Sequence, residues 1–315
     1  MDEFIVTSVE DIVPTIRKYG VAIMENILTQ EECKSMYDKA WDCFEELYPT
    51  ARRNKPETWR NLYDLKPRRG LMFQNWGVGH SQHAWDVRCN DNLINAYRAI
   101  LTQVHGKDCS GVDIKASFDG VTFGPPPEVT NDFWHYLDWF HTNQQFGVEG
   151  LKSVQCWVTG EDVGEHDATF SFLKGSHLRH VDVQDIDNGR KDFYIFSKYD
   201  LYRYFNECDR VDVVCKAGSA VFWDSRTVCC MRSPIAGREQ PRFCNGVFVS
   251  YMPEFVLTKH KAARRKKLFN DMRCTDNWLQ KSNMYEKYRT KIAKQYRHFQ
   301  LKTHPIIPEK YQYLI

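Results

Sequence analysis

The chain has 315 residues, 42% of them apolar and 14% aromatic, and a formal net charge of +2. That is enough for one large or two modest domains with a sizeable core. No run approaches the ~18 apolar residues of a membrane span, and the acidic start "MDEFIVTSVEDIVP" lacks the order of a secretory signal, so an intracellular, cytoplasmic protein is expected.

The spacing of Val9, Ile12, Val13 and Ile16 predicts a short helix over 8–19, closed by Gly20. "VAIMENIL", 21–28, reads as a strand. Thr29 and Glu32 stand at the spacing of a capping box, and the helix they open runs to about Tyr48. Cys33, Met36, Tyr37, Ala40, Phe44 and Leu47 share its inner face. Residues 49–110 carry no clear period. His80 and His83 lie there, but no nearby acid or cysteine completes a metal set.

From about Asp113 the pattern turns to β. Short runs such as "DIKASFDGVTF", "SVQCWVTG" and "RFCNGVFVSYMP" alternate with turn residues, as in a sandwich or jelly roll. An insertion over 179–208 interrupts them and holds a predicted helix in "DFYIFSKYDLYRYF". Residues 258–300 read as helical, with Tyr285, Tyr288, Ile292, Tyr296 and Phe299 as an apolar stripe and an extended tail behind. The predicted architecture is α+β with a mainly β core: a jelly-roll domain over 1–258, and a basic helical extension over 259–315 packed on it.

Eleven cysteines, with no C-x-x-C pair, argue against a zinc ribbon and for reduced thiols, some of them free to cross-link copies. Charge is divided unevenly. From Lys259 onward there are 15 lysines and arginines against 4 acids, which leaves 28 against 37 before it. An acidic body with a basic tail can attract an anionic partner or its own copies. Arg264, Arg265, Lys266 and Lys267 are the interaction candidates. A nucleic-acid role is not expected, because the aromatic stripe reads as buried rather than as a stacking platform.

Taken in order, "GVAIMENILTQEEC", "WFHTNQ", "GLKSVQCWVTGEDVGEHDATFSFLKGSH", "AGSAVFWDSRTVCC" and "PRFCNGVFVSYMP" resemble the phytanoyl-CoA dioxygenase-like family of iron(II)/2-oxoglutarate oxygenases. The resemblance covers roughly 8–30 and 110–275. It implies a double-stranded β-helix in which an H-x-D pair and a distal His hold iron as a facial triad, with an Arg on a late strand gripping 2-oxoglutarate. Carried over by position, His141 matches the first ligand, Asn143 stands for the Asp, Cys229 for the distal His and Cys244 for the Arg. Lys174 replaces a Pro that the family tends to carry.

Asn143 is neutral and Cys229 is a soft donor, so the implied iron site is degenerate. Arg242, on the same strand face as Cys244 but ~6–7 Å away, is a possible substitute anchor. A repurposed metal site from His141 with Cys229 or Cys230 is a further option. The expectation from these losses is a chain without enzymatic activity or cofactor, serving a structural, self-assembling role as a homo-oligomer. The alternatives are a ligand-binding pseudoenzyme, with Trp134, Trp139 and Trp157 lining its pocket, or a residual iron(II)/2-oxoglutarate dioxygenase.

Overall fold

The computed structural model describes residues 1–69, 71–130, 138–183, 185–186, 191–235, 237–287 and 299–315. A short strand β1 (Ile5–Val6) leads to helix α1 (Ile12–Tyr19), which buries Ile12, Val13 and Ile16. Gly20 ends the helix at φ +90°, a left-handed conformation that favours glycine, and β2 (Val21–Met24) follows. The capping box forms as expected at the start of α2 (Gln30–Leu47). Glu32 N–H donates to Thr29 Oγ1 (3.2 Å) and Thr29 N–H to Glu32 Oε2 (2.8 Å). The next segment is largely irregular. It holds only the two-residue β3 (Met72–Phe73) before α3 (Gln82–Arg88) and α4 (Asp91–His105).

The β region begins with β4 (Ile114–Ala116) and β5 (Val121–Gly124), then a single turn α5 (Pro127–Thr130). Next come β6 (His141–Thr142), β7 (Val154–Thr159), β8 (Thr169–Leu173) and β9 (Tyr194–Ile195). After α6 (Lys198–Phe205) the chain adds β10 (Arg210–Asp212), β11 (Ala220–Asp224), β12 (Cys229–Arg232), β13 (Cys244–Val249) and β14 (Tyr251–Pro253). Helix α7 (Lys259–Asn270) follows.

Among the described residues, one large sheet runs β1-β2-β11-β7-β13-β5-β3 and a second runs β10-β8-β12-β6-β9. Pairing is antiparallel except for β1 with β2. This is the expected jelly roll. Both faces of the large sheet are covered, so its central strands are buried at nearly every position rather than at alternate ones. Cys156, Val158 and Phe222 face the helices, while Trp157, Val221 and Trp223 face the second sheet.

Gly246 permits one close approach in that inner layer. A Cβ there would lie 2.1 Å from Trp157 Nε1, which donates to Thr122 Oγ1 at 3.1 Å. Gly246→Ala should therefore displace the indole and cost about 1–3 kcal/mol, read as a lower urea midpoint. An unchanged midpoint would contradict this packing.

The 179–208 insertion is not separate from the sheets. Its β9 pairs with β6, Ile195 opposite His141, and so forms an edge of the smaller sheet. Among the described residues of the predicted C-terminal helix, α7 is the α-helical part. Tyr285 and Phe299 lie outside it, and Tyr288, Ile292 and Tyr296 fall outside the described residues.

The four basic interaction candidates divide. Arg264, Lys266 and Lys267 are exposed, but Arg265 is buried, because it shares the inward side of α7 with Leu268. Its Nη2 donates to Ala116 O (2.5 Å), so Arg265 anchors the extension instead of offering a surface. The eleven cysteines are all free thiols, nine buried and two half-buried, so none stands exposed for cross-linking. Among the described residues no helix is long and apolar enough to cross a membrane.

Candidate functional site

The short strand β6 places the site. It lies between β12 and β9, and its His141 sits directly opposite Cys229. Directly opposed residues in an antiparallel pair share a face, so the imidazole and the thiol are neighbours. Asn143, two residues on, points to the same side. All three line one pocket of about 470 Å³, a size suited to a small organic molecule.

Aromatic packing fixes His141. The Trp139 ring stacks on it at 4.4 Å and 3°, and Trp139 Nε1 donates to Met231 O at 3.0 Å. Phe193, brought in by the insertion, closes against the imidazole at 4.9 Å. Phe170 and Trp223, 4.5 Å apart, form the floor. Burial drives the His141 pKa down to about 3, and the nearby Arg69 charge adds to the fall. The ring is thus neutral at physiological pH. The Asn143 amide nitrogen is 3.2 Å from His141 Nε2 and donates to Gln155 Oε1 at 3.1 Å.

The opposite wall comes from segments whose roles sequence patterning did not reveal. Trp278, in the C-terminal extension, donates from Nε1 to Asn143 O at 2.9 Å and roofs the pocket. Asp276, Asn277 and Tyr285 join it. Gln74 donates to the Tyr285 hydroxyl at 2.8 Å, and Asp119 lies beside them. Arg68 and Arg69 come from the turn before β3.

Burial pushes the Asp119 carboxyl up to about 7, with a contribution from Asp276, and burial likewise raises Asp276 to about 6. Folded Asp119 holds its proton more tightly than the unfolded chain does. The stability it contributes is therefore complete below the usual carboxylate range and is lost as pH rises through about 7. Asp119→Asn cannot ionise. Relative to wild type it should gain on the order of 2 kcal/mol between pH 5 and pH 8, measured by urea denaturation at both. A pH-independent difference would contradict the assignment.

The remaining sequence candidates lie elsewhere. Cys244 faces the inter-sheet core but does not line the pocket. Arg242 points away from the pocket, its Nη1 on Asp167 Oδ2 at 3.0 Å. Trp157 is core. Trp134 falls outside the described residues. His80 and His83 are buried apart from the pocket, each driven by burial to a pKa of about 3. Cys230 also lines the pocket, but among the described residues no group of three or more His, Cys, Asp or Glu side chains is placed to hold a metal ion.

The sequence model of the phytanoyl-CoA dioxygenase family matches residues 16–228. The chain belongs to the phytanoyl-CoA dioxygenase family. Solved structures of the same fold include the non-heme α-ketoglutarate-dependent epimerase SnoN of nogalamycin biosynthesis, at 14% identity and TM-score 0.50, covering 78% of this chain and 83% of that one. The carbocyclase SnoK of the same biosynthesis is 16% identical at TM-score 0.45, with 78% and 86% covered. AviO1 from Streptomyces viridochromogenes Tue57 is 12% identical at TM-score 0.48, with 78% and 95% covered. No curated protein matches the chain significantly.

Membership in the phytanoyl-CoA dioxygenase family corrects two expectations. The chain is not expected from its degenerate motif to be an enzyme, yet its family is one of dioxygenases. The expectation of no cofactor fails with it, since iron(II) and 2-oxoglutarate are what that family implies. The structural, self-assembling role, drawn from that lost chemistry together with the cysteines and the divided charge, yields to an enzymatic reading. The family match ends at Val228, so Cys229, β13 and the pocket roof lie beyond it.

The donor set itself departs from the family's iron site. The three positions that the resemblance assigns to ligands meet in one pocket, as imidazole, carboxamide and thiol. Asn143 carries no charge to offset a dication, and Cys229 offers a soft sulfur donor in place of an imidazole. These residues do not fit a two-histidine, one-carboxylate triad.

Proposed function

We propose that this protein is an enzyme of the iron(II)/2-oxoglutarate oxygenase class that acts on a small organic molecule in the His141 pocket. The observation that carries the reading is the family match over residues 16–228, on a jelly roll whose aromatic-walled pocket of about 470 Å³ contains His141. The SnoN structure was solved with Fe3+, α-ketoglutarate and nogalamycin RO, and this supports a similar use of the fold here.

The chain's own contribution is positioning. Trp139 and Phe193 hold the imidazole between them, and Trp278 ties the roof to the strand end at Asn143. Together these rings give the pocket apolar walls beside the imidazole. Neutral His141 offers a lone pair rather than a charge.

Succinate release tests the reading. Protein with Fe(II), 2-oxoglutarate and oxygen should form succinate, and omission of either iron or 2-oxoglutarate should stop it. His141→Ala should reduce it at least tenfold. Background-level succinate from wild type, with clear formation by an Asn143→Asp/Cys229→His protein under the same conditions, would overturn the proposal.

A further inference from the structure

The resemblance puts Cys244 at the late-strand position that grips 2-oxoglutarate in the family, and Cys244 does not line the pocket. The arginines nearest to it in sequence are engaged elsewhere. Arg238 Nη2 binds Glu128 at 2.7 Å and its Nη1 binds Asp167, while Arg242 shares the same Asp167. An ion cluster thus fills the place from which an anchor would come.

Cations enter the pocket from another direction. Among the described residues, Arg68 and Arg69 are the arginines and lysines that line it. Neither has an ion-pair partner among those residues, whereas the pocket's Asp192 is paired with Lys281. The backbone pair between Arg68 and Met72 (2.7 and 2.9 Å) closes the turn that carries both arginines. Arg69 holds the left-handed φ of +51° within it.

The Arg69 guanidinium lies 5.2 Å from the Trp139 ring, which stacks on His141, so the charge stands one ring away from the imidazole. Arg68 lies 5.6 Å from the Tyr285 ring, and its Nε is buried with no partner. Two further lining residues, Gln155 and Asn277, are at least nine-tenths buried, and each has an amide nitrogen without a partner. Buried N–H groups are costly to leave unpaired, so this set favours an acceptor-rich ligand.

We infer that the turn bearing Arg68 and Arg69 is a carboxylate-binding subsite, which anchors an organic acid beside His141 in place of the missing late-strand arginine. The inference deepens the oxygenase reading and rests on it only for the identity of the acid, either 2-oxoglutarate or the carboxylate of the substrate itself. A planar guanidinium matches a carboxylate through two parallel N–H donors, and a half-buried site strengthens that contact.

Isothermal titration calorimetry under argon without iron, using 2-oxoglutarate, glutarate and inorganic phosphate, tests it. Wild type should bind both dicarboxylates in preference to phosphate. Arg69→Ala and Arg68→Ala should each weaken this binding at least tenfold, Arg69→Lys should retain part of it, and Arg242→Ala should bind as wild type. Equal binding of the two dicarboxylates assigns the recognition to their carboxylates, and a preference for 2-oxoglutarate supports the co-substrate as the acid. The inference is overturned if wild type binds neither dicarboxylate, if it prefers phosphate, or if both alanine variants bind normally. Should either alanine variant lose the native near-UV spectrum, Arg69→Lys decides: reduced affinity in a native protein supports the subsite, and full affinity overturns it. Turnover is not read, so a chain that binds but makes no succinate fails the oxygenase reading alone.

Discussion

Replacing Asn143 by Asp and Cys229 by His together should raise the affinity for Fe(II) at least tenfold, and on the order of a hundredfold. The backbone already supports the exchange. His141 and Cys229 face each other across β6 and β12, so an imidazole introduced on β12 would project beside that of His141. The carboxylate introduced in place of the Asn143 amide would supply the missing negative charge. Its neighbour can adapt, because Gln155 now accepts from Asn143 through Oε1 while its own amide nitrogen has no partner. A flip of the Gln155 carboxamide would turn that N–H toward the new acid. Metal content after anaerobic loading and desalting reads the result. Equal iron in variant and wild type would contradict the register assigned to these positions.

Trp278→Ala should cost about 3–5 kcal/mol and open the pocket roof. The ring is buried at 5% exposure and makes the 2.9 Å hydrogen bond to Asn143 O. Removing it leaves a cavity between the C-terminal extension and the strand that carries His141. Trp278→Phe keeps most of the apolar contact and loses the N–H donor, so it should cost nearer ~1 kcal/mol. Urea midpoints of the two variants separate packing from hydrogen bonding. A midpoint for Trp278→Ala equal to wild type would show that the extension does not hold the site.

Local signals and strand order were legible in the sequence. The Thr29–Glu32 cap needs only four residues, and the inner face of α2 needs only its period, so both appear in the structure as read. The jelly roll was legible through the order of its strand motifs. His141, Asn143 and Cys229 come together because β6 and β12 pair, and it was the family resemblance that singled these three positions out.

The other wall was not legible. Arg68, Arg69 and Gln74 sit in irregular backbone around a two-residue strand, where neither helical nor strand period exists to place them. Asp276, Trp278 and Tyr285 lie past α7, in a stretch that reads as helix by composition but runs as turns. Arg265 was hidden differently. A basic run masks the inward side of α7, and its burial depends on carbonyl partners from Ala116 and Leu314, remote in sequence. Arg242 shows the converse: strand alternation gives its side, but Asp167 decides where its guanidinium goes.

A structure determined with saturating 2-oxoglutarate under argon tests the central claim most directly. The expected result is the acid in the His141 pocket, with a carboxylate on Arg69 and its chain beneath Trp278. Ligand at the Arg242–Asp167 cluster, or an unliganded pocket at saturation, would contradict the account.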